Sequence, residues 1–266
     1  MSALHVCIEG IGFWSPGWPD WDAARRGLRG EAKADPAVVK PLPTLLAAAE
    51  RRRAPLPVLL ACEIAAQACA AAGHAPDTLP SVFAATHGDL VITDYMCRTL
   101  ATAPRELSPI RFHNSVHNAP AGYWTIAANC HAGSTSISSW HSTFAIALFE
   151  AAVQALADDT PVLLAAYDTE SPGPLGDVSP STTQFGVAMV IAPPNGRSST
   201  LRMELQALQE LTRAADPLPA EFAALAMNNP MAAQSLPVLA IMASAESGKL
   251  RIQAGKQSSL DLEFNA

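Results

Sequence analysis

Gly133-Ser-Thr-Ser-Ile-Ser-Ser-Trp-His-Ser142 runs without a break into Thr143-Phe-Ala-Ile-Ala-Leu-Phe-Glu-Ala-Ala-Val-Gln-Ala-Leu156. The glycine predicts a turn, Ser134 to Ser138 a short strand, and Ser139 to Ser142 a polar elbow. Thr143 to Leu156 then predicts a buried helix, because apolar residues and alanine dominate every face. Ser142 stands at the mouth of that helix. A serine there is suited to capping or to packing, and its hydroxyl is also placed as a nucleophile would be.

Reading outward, Leu4 to Phe13 is a strand ended by Ser15-Pro-Gly17, and Asp20 caps a short basic-ended helix. Residues 30–55 form a polar surface excursion. Pro57 to Ala72 is a strong helix, Leu79 to Thr86 the next strand, and Asp89 to Ala101 a helix. Ser108 to His117 reads as loop, with a helix from Asn118 or Ala119 onward. Thr160 to Tyr167 and Phe185 to Ala192 are buried strands separated by a Pro/Gly/Ser-rich loop, Asp168 to Thr183. Thr200 to Leu205 can pair with the second of them. Pro219 to Met227 and Pro230 to Gln234 predict short helices; Leu236 to Met242, Lys249 to Gln253 and Leu260 to Phe264 predict strands. Strands alternate with helices as far as about residue 170, which implies an α/β layer fold, and the paired strands after it make the sheet mixed. No internal repeat is visible in the sequence.

The composition fits this reading. Of 266 residues, 49% are hydrophobic and 15% charged, which describes a buried core rather than a disordered chain. A net charge of −7 argues against nucleic acid as a partner. Arg25, Arg26 and Arg29, and the run Arg51-Arg52-Arg53, are the basic clusters, and they read as solvated helix faces. Cys7, Cys62, Cys69, Cys97 and Cys130 are scattered, without a Cys-x-x-Cys pair, as buried thiols in a reducing compartment would be. The first residues lack the pattern of a signal peptide, and Pro55 to Ala72 is too short and polar for a membrane span. A cytoplasmic protein without a membrane span is expected.

Five blocks, in order, resemble one family. Ile8-Glu-Gly-Ile-Gly-Phe-Trp-Ser-Pro-Gly17 resembles the first strand of β-ketoacyl synthases, and Trp21 with Arg26-Gly-Leu-Arg-Gly30 resembles the helix end that follows. Phe112-His-Asn-Ser-Val-His-Asn-Ala-Pro-Ala-Gly-Tyr-Trp124 resembles the stretch before the nucleophile strand. It is close to a short subgroup associated with aryl polyene and xanthomonadin-type pigments. Gly133 to Leu156 resembles the nucleophile elbow, and Phe185-Gly-Val-Ala-Met-Val-Ile191 the strand after the glycine-rich loop. The resemblance implies the N-terminal half of a thiolase-like fold over residues 1–195, a mixed sheet between helical layers. Residues 196–266 would be a short α+β cap integrated with it. It also implies dimerisation through about Ser134 to Ser139, and acyl carrier protein as the source of acyl chains.

Two departures bear on activity. Ser142 occupies the position of the family's nucleophilic cysteine, and no histidine follows His141, so the two histidine motifs of a full condensing enzyme are missing. A helix N-terminus brings a thiol into the useful pKa range, whereas a hydroxyl needs an oriented base. The leading expectation is a non-catalytic, chain-length-factor-like subunit. It would pair with a full ketosynthase, with Trp140, His141, Phe144 and Phe149 as the bulky residues near the acyl pocket and dimer seam. The alternatives are an acyltransferase or thioesterase using Ser142, and a homodimeric scaffold. No cofactor and no metal are expected. His113 and His117 have zinc-pair spacing but lack a third ligand and read as loop scaffolding. Thr86-His-Gly-Asp89 reads as a strand end and a capped helix start rather than a catalytic pair. Gly10-x-Gly12 lacks the third glycine of a nucleotide fingerprint, and Cys130 reads as structural.

Overall fold

Tight backbone contact between one helix and one strand organises the molecule, which is described here from a computed structural model covering residues 3–195, 200–207 and 217–265. The strands are β1 (Leu4–Trp14), β2 (Ser81–Ala84), β3 (Ser134–Ile137), β4 (Val162–Asp168), β5 (Phe185–Ala192), β6 (Thr200–Ala207), β7 (Gly248–Gln253) and β8 (Ser258–Asn265). They form one sheet in the order β3-β2-β4-β5-β1-β6-β8-β7. β2 runs parallel to β3 and β4, and the remaining pairs are antiparallel. The helices are α1 (Trp21–Leu28), α2 (Ala48–Arg53), α3 (Leu56–Ala72), α4 (Leu90–Thr102), α5 (Pro109–Asn114), α6 (Ala119–Ala128), α7 (Thr143–Ala157), α8 (Pro174–Val178), α9 (Ala220–Asn228) and α10 (Pro230–Ser244).

Side chains alternate across the sheet, so each central strand feeds two cores. Val162, Leu164 and Ala166 of β4 join Val187, Met189 and Ile191 of β5 against α7 and α10. Leu163, Ala165 and Tyr167 join Ala188 and Val190 against α3 and α6. Both faces of these strands are covered, which is why they read as unbroken apolar runs. Each fully buried Val, Leu, Ile or Phe contributes about 1.5–3 kcal/mol. α3 lies almost on the backbone of β1. A Cβ at Gly12 would sit 2.0 Å from the Ile64 carbonyl oxygen, and one at Gly10 2.5 Å from that of Ala68.

The C-terminal region departs from expectation. Leu236 to Met242, predicted as a strand, is the second half of α10, which continues through Pro237. Its buried residues, Met231, Ala232, Ser235, Leu236, Val238, Leu239 and Ala243, follow helical spacing, and packing on the sheet overrides the local strand signal. The expected boundary at 195/196 falls beside residues 196–199, outside the described residues. β6, β8 and β7 extend the same sheet past β1. Moreover, β6–α10–β7–β8 repeats the skeleton β1–α3–β4–β5: in both, the last strand lies between the first and the third. The repeat absent from the sequence is therefore present in the fold. Where the first half inserts β2, β3 and their helices, α10 passes to β7 through only Ala245, Glu246 and Ser247.

The sheet has two unlike ends. β3 presents Ser134-Thr-Ser-Ile137, without a charge, whereas β7 carries Lys249 and Arg251. Those two cations pair with Glu263 and Asp261 of β8, and Arg202 of β6 pairs with Glu204 and Glu263. Such partly exposed pairs each contribute about 0–1 kcal/mol, so they mark a wet face more than they hold it together. Among the described residues, no helix is long and apolar enough to cross a membrane.

Candidate functional site

The elbow after β3 lies at the carboxyl ends of the parallel strands, the usual place for a site in such sheets. Ser138 Oγ donates to the Thr86 carbonyl at 2.6 Å and ties the elbow to β2. Ser139 N donates to Thr143 Oγ1 at 2.9 Å, and Thr143 Oγ1 donates to the Trp140 carbonyl at 2.6 Å. Together these hold Trp140 at φ 51, in the left-handed region that a bulky residue adopts at a cost of about 1–3 kcal/mol. Ser142 occupies the cap position of α7 and is buried, but its side chain makes no capping bond. Thr143 does the stapling that the sequence assigned to a capping serine.

The four bulky candidates are separated by the fold. Trp140 is 47% exposed, and His141 is exposed beside it, the two rings meeting edge-on at 5.2 Å. Phe144 is fully buried in the core between α7 and the sheet, and Phe149 packs half-buried against the same core. Trp140 also meets His87 edge-on at 4.8 Å. His87 Nε2 is buried and has no hydrogen-bond partner. Burial, then His141 and His117, push the His87 pKa down, which favours the neutral ring. Among the described residues, no hydrogen bond links a histidine ring to Ser142.

His113 and His117, expected together in a loop, are divided. His113 is exposed on α5, while His117 Nε2 reaches the Ala85 carbonyl at 3.0 Å at the end of β2. Pro109 in the first turn and the Ser108 cap favour helix where the sequence read loop. Among the described residues, no group of three or more His, Cys, Asp or Glu could hold a metal. Asp89 accepts from Ile92 N at 2.8 Å and caps α4, as its place after a strand suggested.

A buried polar knot behind the elbow escaped the sequence reading. Asp168, at the end of β4, accepts from Thr86 N at 2.8 Å and from Thr86 Oγ1 at 2.6 Å. Asn229 caps α10 by accepting from Met231 N and Ala232 N, both at 3.0 Å. Its amide donates to the carbonyls of Asp168 and Thr183 and to Ser181 Oγ. Asn229-Pro230 is a helix-start signal that could have flagged it; nothing local flags Asp168.

Burial pushes the Asp168 carboxyl up to about 7, against the pull of the Thr86 bonds. The sign follows. Between the ordinary carboxylate range and pH 7 the native chain holds a proton that the unfolded chain has lost, so stability declines as pH rises through that window. Asp168→Asn, which keeps the shape, is expected to remove this decline, on the order of 1–3 kcal/mol. Melting temperatures of both proteins from pH 4 to 8 check it.

The family model for the β-ketoacyl synthase N-terminal domain matches residues 18–258. No curated protein sequence matches significantly. Among solved structures, a ketosynthase in complex with its chain length factor from Xenorhabdus doucetiae superposes with a TM-score of 0.73 at 22% identity, covering 99% of this chain and 100% of that chain. The ishigamide ketosynthase/chain length factor gives 0.71 at 14% identity, covering 98% and 99%. A type II polyketide synthase acyl-carrier protein in complex with its ketosynthase gives 0.69 at 12% identity, covering 100% of both chains. These likenesses show the fold, α/β and thiolase-like. On the family model, which takes in most of its length, the chain belongs to the β-ketoacyl synthase N-terminal domain family.

Proposed function

We propose that this chain is a non-catalytic, chain-length-factor-like subunit that pairs with a full-length, cysteine-bearing ketosynthase acting on carrier-bound acyl chains. The observation that carries the reading is the elbow. It is built as a nucleophile elbow is, yet it holds a hydroxyl to which, among the described residues, no imidazole is hydrogen-bonded. An unassisted serine hydroxyl is too weak an acid to accept an acyl group at neutral pH. The second half of the fold supports the same reading. It contributes strands and α10 but has three residues where the first half places two strands and their helices. Residues 1–195 are then the ketosynthase-like domain and 196–266 its short cap, whose described strands β6, β8 and β7 complete the sheet rather than form a second catalytic half.

The pairing surface would be the uncharged edge of β3 and the half-exposed Trp140 beside it, with His141 at the rim. Val91, Ile110, Phe112 and Val116 of the neighbouring segment are exposed apolar side chains, the kind of surface that a partner covers. Arg52 and Arg53, exposed on α2, supply a local positive field for an acidic carrier domain despite the negative net charge. Cys62, Cys69, Cys97 and Cys130 are free thiols, which suits a cytoplasmic protein.

Co-production with the ketosynthase of its own pathway tests the proposal. A complex of fixed ratio is expected, and after incubation with acyl carrier thioester, intact mass is expected to show acylation of the partner and none of this chain. A chain that remains a monomer, or an adduct lost in Ser142→Ala, would refute it, the latter in favour of a serine acyltransferase or thioesterase. A complex of this chain with itself alone would point to the homodimeric scaffold.

A further inference from the structure

Two unfavourable features coincide at the elbow. Trp140 is held in left-handed backbone, and the buried Nε2 of His87 under its ring lacks a hydrogen bond. Backbone strain clusters at ligand clamps and switch regions, and a buried polar atom without a partner calls for an explanation. The groups around His87 are already committed. His117 Nε2 is bonded to the Ala85 carbonyl, Ser138 Oγ to the Thr86 carbonyl, and both Thr86 donors to Asp168. The two adjoining carboxyls are spoken for as well: Asp89 caps α4, and Asp168 holds Thr86. Three imidazoles, His87, His117 and His141, therefore gather at the strand ends, and among the described residues no acid serves His87. His87 lies beneath Trp140, which is half exposed at the end of the elbow that follows β3.

Resting on the pairing proposed above, the geometry points to a carboxylate side chain of the partner ketosynthase as the missing group. It docks beside β3, Trp140 turns aside, and His87 Nε2–H donates to the incoming carboxylate. Rotamer changes of this size are common at interfaces. Burial and the neighbouring histidines keep the free ring neutral, so docking against a negative charge raises its affinity for a proton. The complex then takes up a proton. Affinity rises as pH falls between the raised pKa of the bound ring and the lowered pKa of the free one, by up to about tenfold per pH unit.

The experiment measures the dissociation constant of this chain and the purified ketosynthase subunit from pH 8.5 to 6, with calorimetry in two buffers of different ionisation heat. Tightening toward low pH with net proton uptake is expected in the unaltered protein and in His141→Gln, and both are expected to vanish in His87→Gln. A flat profile, proton release, or a slope that survives in His87→Gln overturns the inference while leaving the pairing intact. No complex at any pH overturns both. Should His87→Gln fail to fold, His87→Asn takes its place, and loss of the slope in His141→Gln or in His117→Gln overturns the inference.

Discussion

Gly12→Ala is expected to destabilise the chain by about 3 kcal/mol or more and to lower its melting temperature by on the order of 10 °C. The added methyl would lie 2.0 Å from the Ile64 carbonyl oxygen and 2.9 Å from Ala68 N, both backbone atoms of α3. No rotamer can relieve a clash with backbone, so α3 must move as a unit. Val58, Leu60, Ile64, Ala65 and Ala68 are fully buried along it, and moving it opens the core beneath α3 and α6. Gly122→Ala in α6 is the control. Nothing lies within 4 Å of its Cβ position, and it is expected to be neutral or to stabilise by about 0.5–1 kcal/mol. Thermal melts of the two variants side by side decide the matter; an unaltered melt for Gly12→Ala would mean the strand and helix are looser than they are packed here.

Asn229→Ala is expected to cost about 3–5 kcal/mol. The side chain is 1% exposed and uses both ends of its amide. Removing it leaves Met231 N and Ala232 N without the cap acceptor, and the Thr183 carbonyl without its 2.9 Å donor. None of these groups can turn to water from that depth, so the desolvation penalty is not recovered. The effect reaches the elbow side of the molecule, because the same amide pins the end of β4 and the segment before β5. Asn229→Ser retains a capping oxygen and is expected to recover the cap share, about 1 kcal/mol, and no more. Urea unfolding curves for the three proteins check both numbers; equal stability of the Ala and Ser variants would show that the cap contributes nothing.

The sequence exposed the fold best where periodicity was strong. β4 and β5 are covered on both faces, so their apolar runs could be read as central strands, and the Asp20 and Asp89 caps marked two helix starts through residue chemistry alone. Leu236 to Met242 misled because a short apolar run containing a proline carries no period, and only the packing of α10 on the sheet decides its state. The elbow was legible as a strand–turn–helix, with Ser142 at the start of the helix. What stood beside it was not. Asp168, Thr86 and Asn229 come from three distant segments, and their meeting is a property of strand order, which no local window contains. His87 is a similar case: its position after β2 was visible, its unpaired nitrogen was not.

The contrast between the two outermost strands has one more outcome. A ribbon open on both sides would add copies indefinitely and end as a fibre. Long charged side chains on the β7 side, held in ion pairs with β8, are poor partners for another strand, while the β3 side bears only serine, threonine and isoleucine. If the pairing proposed above uses β3, the sheet has one edge for a partner and one that ends in solvent, so pairing there would stop at a closed pair.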